Sequence, residues 1–271
     1  MARFTGKTVI VTGSGRERGL GQGILQRFAD EGANCVVSDR VIDSEAEGVA
    51  DELRGRGARV QAIACDVSDA AQCRALVAQT VERFGSVDVL VNNAGIGFRM
   101  RPLLEVDTAE GWDEVIAVNL SGAFYCTQAA ARAMVEHGQK CGNRGGRIIM
   151  IASQAAKTGF PHLSAYVSSK HGMVGLTRAA AVELGQHGIT VNAVCPNHVT
   201  TELGAQQNAY FSKLLGFASV EDYLANMAAK NPMGRPGLPS DTASACVWLA
   251  SEEAGYITGE ALNVSGGEEM H

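Results

Sequence analysis

Seven short runs rich in apolar, β-branched residues recur along the chain, at 8–12, 34–39, 59–65, 87–91, 147–153, 190–194 and 261–264. Their apolar positions are nearly continuous instead of alternating with polar ones, which is the pattern of strands buried on both faces. Longer stretches with helical periodicity separate them, at about 20–31, 44–56, 70–84, 109–137, 164–186, 220–229 and 241–249. Pro239-Ser240-Asp241 supplies an N-cap and first turn for the last of these. Strands alternating with helices predict an α/β, doubly wound Rossmann fold, with a mainly parallel seven-stranded sheet and helices on both faces. The stretch 202–236 is less periodic and carries Tyr210, Phe211, Phe217 and Tyr223. It is expected to form an inserted helical lobe within a single domain spanning 1–271, a length that suits one large α/β core.

Composition narrows the partners. The net charge is −6 and no block of Lys or Arg stands out, which argues against a nucleic-acid or anionic-membrane surface and leaves a small molecule as the expected partner. The seven cysteines are scattered and form no CxxC pair, so they read as reduced thiols and no metal site is expected. No apolar run is long enough for a signal peptide or a membrane span, and a reducing cytoplasm is the expected setting. The 32 glycines show no fixed period and sit at element junctions instead.

The first junction carries chemistry. Thr8–Thr12 runs straight into Gly13-Ser14-Gly15-Arg16-Glu17-Arg18-Gly19-Leu20-Gly21, and a helical pattern follows at once. A strand, a glycine turn and a helix N-terminus present backbone N–H groups to a pyrophosphate. The second strand ends in Asp39, a carboxylate placed to accept hydrogen bonds from ribose hydroxyls and to repel a 2′-phosphate. This favours NAD, while Arg18 and Arg40 keep NADP possible. Asp66 and Val67 end the third strand, where they border an adenine or simply form a turn. Asn92-Asn93-Ala94-Gly95 follows the fourth strand, on the side of the sheet where such folds bind ligands.

Tyr166 and Lys170 lie four apart on a predicted helix and so share a face. A tyrosine hydroxyl, ordinarily near pKa 10, is a poor base unless a neighbouring positive charge stabilises its phenolate. The Tyr-x-x-x-Lys spacing alone is equally a solvated helix face. Ser153 ends the fifth strand and is either a hydroxyl for a substrate oxygen or a strand-end cap. Asn119, in an apolar helical run, is either a satisfied core amide or a holder of a relay water.

Together, Thr12-Gly13…Gly19-Leu20-Gly21, Asn92-Asn93-Ala94-Gly95, Asn119, Ser153, Tyr166-x-x-x-Lys170 and Pro196-x-x-Val199-x-Thr201 resemble the short-chain dehydrogenase/reductase family, in its compact single-domain branch. The resemblance runs from Gly6 to about Gly267. It implies an NAD(P)-dependent oxidoreductase that moves a hydride between a nicotinamide cofactor and a secondary alcohol or ketone, or a sugar or polyol hydroxyl. Tyr166 is then the general acid/base, Lys170 lowers its pKa and binds the nicotinamide ribose, Ser153 orients the substrate oxygen, and Asn119 holds the relay water. Asn93 and Gly95 flank the cofactor ribose, Val199 and Thr201 hold the carboxamide, and Ala94 and Pro196 also count among the cofactor-binding residues. The resemblance also implies a homotetramer built on the long helices at 109–137 and 164–186.

Three features depart from the family pattern. Gly13 and Gly19 are six apart where four is usual, Asn197 replaces the usual glycine after Pro196, and 138–146 is a polar insertion. Gln154, His162, Asn197 and His198 are candidate pocket residues whose polarity suggests a hydroxylated substrate. Two alternatives stand beside the main reading. One is a non-catalytic nucleotide-binding regulatory protein on the same fold. The other, an enoyl-thioester reductase, is disfavoured by the Tyr–Lys spacing of four.

Overall fold

The computed structural model describes residues 2–97, 99–141 and 145–270. Seven parallel strands form one sheet in the order β3-β2-β1-β4-β5-β6-β7. They are β1 (Thr8–Thr12), β2 (Asn34–Asp39), β3 (Val60–Ala64), β4 (Val89–Asn92), β5 (Gly146–Ile151), β6 (Ile189–Pro196) and β7 (Ala261–Val264). Every pairing is parallel, for example Ile10↔Val36 and Ile10↔Leu90 on the two sides of β1. Strand existence was legible from apolar runs, but their ends move: β5 stops at Ile151, and β6 extends to Pro196.

The period of two within each strand feeds two separate cores. Ile10, Val36, Leu90, Ile148 and Met150 face α3 (Ala70–Phe84), α5 (Gly122–Cys141) and α6 (Ser164–Leu184). Val9, Val11, Val37, Val91, Ile149 and Val194 face α1 (Leu20–Asp30), α2 (Ser44–Gly55) and α9 (Pro239–Ala250). Burying each such side chain stabilises the fold by about 1.5–3 kcal/mol, and covering both faces explains why the strands read as unbroken apolar runs. At α9, Pro239 occupies the first turn and the Asp241 carboxylate accepts from Leu238 N at 2.8 Å.

The helix expected at 109–137 is a composite. It starts with a π-turn (Thr108–Asp113), continues through α4 (Glu114–Ile116) and a second π-turn (Ala117–Ser121), and then runs on as α5. The second wide turn carries Asn119, whose side chain bonds the backbone of Ile96. Such turns recur at functional sites. The inserted lobe holds two helices, α7 (Glu202–Leu214) and α8 (Val220–Lys230), the first of which the weak periodicity concealed. Its aromatics pack on the sheet domain, with Phe211, Tyr223 and Tyr210 joining Met100, Leu163 and Tyr166 in a third apolar cluster. Of the polar insertion at 138–146, residues 142–144 lie outside the described residues. No described helix is long and apolar enough to cross a membrane.

Candidate active site

A cavity of about 680 Å³ opens along the carboxyl ends of the strands. It lies where the strand order reverses between β1 and β4, the crevice in which open α/β sheets bind ligands. Gly13, Gly19, Leu20, Asp39, Asp66 and Val67 line one end, Asn93, Ala94 and Gly95 the middle, and Ser153, Tyr166, Lys170, Pro196, Val199 and Thr201 the other.

The glycine turn is packed so closely that side chains are excluded. A Cβ on Gly13, whose φ is +62°, would lie 2.7 Å from Ala94 Cα, and one on Gly21 would lie 2.7 Å from Gly13 O and 2.8 Å from Asn93 Nδ2. Gly21 therefore serves the turn from behind, since it packs against Gly13 and does not line the cavity. Asn93 staples β1 to β4: its Nδ2 donates to Thr12 O at 2.9 Å and to Gly13 O at 2.8 Å.

The two extra residues of the turn have a local explanation. Arg16 is drawn to the start of α2, where it donates to Asp43 at 2.7 Å and to Glu45 at 2.9 Å, and Glu17 N donates to Glu45 at 2.8 Å. Arg18 sits at φ 57°, with its N–H on Gln22, and does not line the cavity. Asp39 lines it, with Oδ2 accepting from Gly15 N at 3.0 Å and Oδ1 from Arg40 N at 2.8 Å. Asp66 forms a turn with Ser68 through bonds of 2.9 and 2.6 Å.

At the opposite end, Lys170 is one helical turn after Tyr166 and is 4% exposed. Its ammonium donates to Ile151 O at 2.7 Å and lies 5.6 Å from the Tyr166 ring centroid. Burial lowers its pKa to about 8. Burial raises the Tyr166 pKa, and a hydrogen bond with the Ser153 side chain opposes that rise. The neighbour that favours loss of the Tyr166 proton is therefore Ser153, while the Lys170 ammonium donates to Ile151 O at the end of β5. Asn119 is fully buried: Oδ1 accepts from Ile96 N at 2.8 Å, and Nδ2 donates to Ile96 O at 2.9 Å and Ser169 Oγ at 3.0 Å. Its side chain is thus fully bonded and shapes the loop behind Gly95.

The expected pocket residues divide. Gln154, Asn197 and His198 line the cavity, whereas His162 lies outside it with Nδ1 2.8 Å from the Tyr210 hydroxyl. Asn197 and Gln154 are held from behind by Glu268 at 2.6 Å and Glu269 at 2.8 Å. Sequence reasoning missed both carboxylates, as it missed Gln207, which reaches from α7 to Gly97 O at 3.0 Å. It also took the cysteines as scattered, although Cys73 and Cys126 meet at 3.4 Å beneath the cavity-lining Cys65. No described residues form a cluster suited to a metal ion.

A family model described as "Enoyl-(Acyl carrier protein) reductase" matches residues 13–269. The 3-oxoacyl-[acyl-carrier-protein] reductase FabG of Staphylococcus aureus (strain Mu50 / ATCC 700699) is 37% identical over 264 residues, covering 97% of this chain and 98% of that protein. The chain belongs to the short-chain dehydrogenase/reductase family. Sorbitol dehydrogenase of Cereibacter sphaeroides is another relative, 37% identical with 99% of each chain covered. Among solved structures, levodione reductase superposes with a TM-score of 0.88 at 32% identity, covering 98% of each chain. As a short-chain dehydrogenase/reductase, the protein is an NAD(P)-dependent oxidoreductase of the alcohol/ketone type. Nothing in these likenesses supports the non-catalytic alternative.

Proposed function

We propose that this short-chain dehydrogenase/reductase interconverts a secondary alcohol, or a sugar or polyol hydroxyl, with its ketone. The observation that carries the reading is the convergence of Ser153, Tyr166 and Lys170 on one wall of the cavity whose other end is the glycine turn. The residues fit a nicotinamide dinucleotide: the close-packed Gly13 exposes the backbone of the turn, and Asp39 faces the ribose end. When bound, the nicotinamide would accept or supply the hydride. Tyr166 Oη takes the proton of the alcohol in oxidation and returns it in reduction. Ser153 Oγ donates to the same oxygen or to the phenolate, and the Lys170 ammonium holds positive charge one turn away. Asn93, Ala94 and Gly95 would border the nicotinamide ribose, and Pro196, Val199 and Thr201 its carboxamide.

Asp39 lines the ribose end together with Arg40 and Arg16, and Arg16 is already paired to Asp43 and Glu45; the carboxylate at the end of β2 favours NAD over NADP. An Asp39→Asn variant keeps an acceptor for Gly15 N and removes the charge. Its kcat/KM ratio for NADP over NAD is expected to rise about tenfold, as removing one unit of nearby repulsion implies; a ratio that does not move would assign selectivity elsewhere.

The sorbitol and levodione enzymes act on small molecules according to their names, and the polar wall formed by Gln154 and Asn197 suits a hydroxylated substrate. The name of the matching family model motivates one competing reading, reduction of an enoyl thioester. A panel of polyols, cyclic ketones, 3-oxoacyl thioesters and enoyl thioesters, run with NAD(H) and NADP(H) in parallel, separates these. Turnover confined to enoyl thioesters would overturn the proposal. We also propose a single catalytic domain with a substrate-side lobe, acting in the cytoplasm as a homotetramer. The exposed Phe124 on α5 and Val182 on α6 support that assembly, and light scattering at the monomer mass would refute it.

A further inference from the structure

After β7 the chain turns back beneath the active-site wall. Ser265 Oγ and Asn263 Nδ2 each donate to Glu269 O at 3.1 Å, closing the segment 265–269 as a turn. The turn sends two adjacent carboxylates to two parts of the wall. Glu268 Oε2 accepts from Asn197 Nδ2 at 2.6 Å, and its Oε1 lies 3.8 Å from His198 Nε2. Glu269 is 9% exposed, and its Oε2 accepts from Gln154 Nε2 at 2.8 Å and Thr158 Oγ1 at 2.9 Å.

Gln154 and Thr158 belong to the turn that carries Ser153. Gln154 opens the 3-10 turn Gln154–Ala156, Thr158 N bonds back to Gln154 O at 3.0 Å, and Ser153 Oγ accepts from Ala155 N at 3.1 Å. Regular pairing of β5 stops at Ile151↔Val194, two residues before Ser153. The direction of the Ser153 hydroxyl thus depends on how this turn is anchored. Charge-assisted hydrogen bonds from a buried carboxylate anchor it more firmly than neutral ones do. The amide that Glu269 grips leaves its own Oε1 buried without a hydrogen-bond partner.

We propose that Glu269 is a positioning residue for the reaction: its carboxylate clamps the turn through Gln154 and Thr158 and so aims the Ser153 hydroxyl at Tyr166. This rests on the catalytic reading of Ser153 and Tyr166 given above. Titratable groups near Tyr166 are Lys170 on its own helix, Cys195, which acts on Lys170, Tyr210 and Tyr223 in the same apolar cluster, and Glu114 and His198, which line the same cavity. Glu268 stands next to His198. The Glu269 variants below leave all of these in place.

The test compares wild type, Glu269→Ala and Glu269→Gln in alcohol oxidation across pH, with cofactor affinity from fluorescence titration and thermal melts. Glu269→Ala is expected to lower kcat about tenfold to a hundredfold, since small misplacements of a catalytic group cost that much. The pH of half-maximal kcat/KM should move up by about one, because a phenolate that loses a hydrogen bond is harder to form. Cofactor affinity should stay within about twofold, and Glu269→Gln, which keeps an acceptor for both donors, should recover most of the rate. A lowered melting temperature with an unmoved pH profile would overturn the proposal and leave Glu269 a purely structural tie. If Glu269→Ala does not fold, Gln154→Leu breaks the clamp from the other side, and an unmoved profile there overturns it equally. A wild-type protein without any nicotinamide-linked turnover would overturn both this inference and the proposed function, whereas an active wild type with an unmoved profile overturns this inference alone.

Discussion

Replacing Tyr166 with Phe is expected to lower turnover by at least about a thousandfold while the nicotinamide cofactor still binds with near wild-type affinity. General acid–base catalysis contributes about 10²–10⁴-fold when the proton donor is well placed, and here the hydroxyl is the sole part of the side chain that changes. The ring keeps its packing against the lobe, where Tyr166 sits among Met100, Leu163 and Phe211, so the fold and the cofactor end are expected to survive. Burial and Ser153 act on the Tyr166 proton in opposite directions, so wild-type alcohol oxidation should rise with pH as the phenolate becomes accessible. The Phe variant should show no such rise. Stopped-flow absorbance in the reduced-nicotinamide band, together with calorimetric NAD titration, checks both halves. An active Phe variant would remove Tyr166 from the mechanism.

Lys170→Met should separate activity from stability. The Lys170 ammonium is buried, with Ile151 O at 2.7 Å and Met173 Sδ at 3.5 Å as its hydrogen-bond partners. Burying a charge against so few partners is unfavourable, and an apolar side chain of similar size removes that desolvation cost. The variant is therefore expected to melt higher than wild type while its turnover falls by about a hundredfold or more, because a positive charge near the acid–base tyrosine is gone.

The pH dependence carries the sign. In the folded protein Lys170 releases its proton near pH 8, against 10.5 for the unperturbed group. Between those values the unfolded chain holds more protons than the folded one, so wild-type stability gains from this group as pH rises from about 8 to 10.5. Denaturation by urea at several pH values should show that gain in wild type and lack it in Lys170→Met. Equal slopes in the two proteins would mean that the ammonium is better solvated than its burial implies.

The match of sequence to structure differs from place to place for reasons that particular residues make plain. The glycine turn was legible because β1, the turn and α1 are contiguous, and Tyr166 and Lys170 because a helix places residues four apart on one face. The expected long helix at 109–137 hid two π-turns. Periodicity averages over such wide turns, and the one at Asn119 carries an amide that bonds Ile96, 23 residues away. Arg18 and Arg40 looked alike from the sequence as cations within reach of a 2′-phosphate, and of the two Arg40 lines the cavity. Arg16 is tied to α2 by Asp43 and Glu45, and Arg18 turns out of the cavity.

By itself, the sequence determined the seven strands, the helices on both faces and the crevice at their carboxyl ends, and it brought forward Ser153, Tyr166 and Lys170, which the fold gathers on one cavity wall. Those are set by short-range periodicity and by local turns, which act over a few residues. The tertiary structure decided what stands behind that chemistry: which basic side chains are already paired, that Asn119 is a satisfied amide, and that Glu268 and Glu269 grip Asn197 and Gln154 across 71 and 115 residues of chain. Hydrogen bonds over such separations leave no periodic trace, because they depend on where the fold returns each segment and on which buried polar groups still need a partner once it has done so.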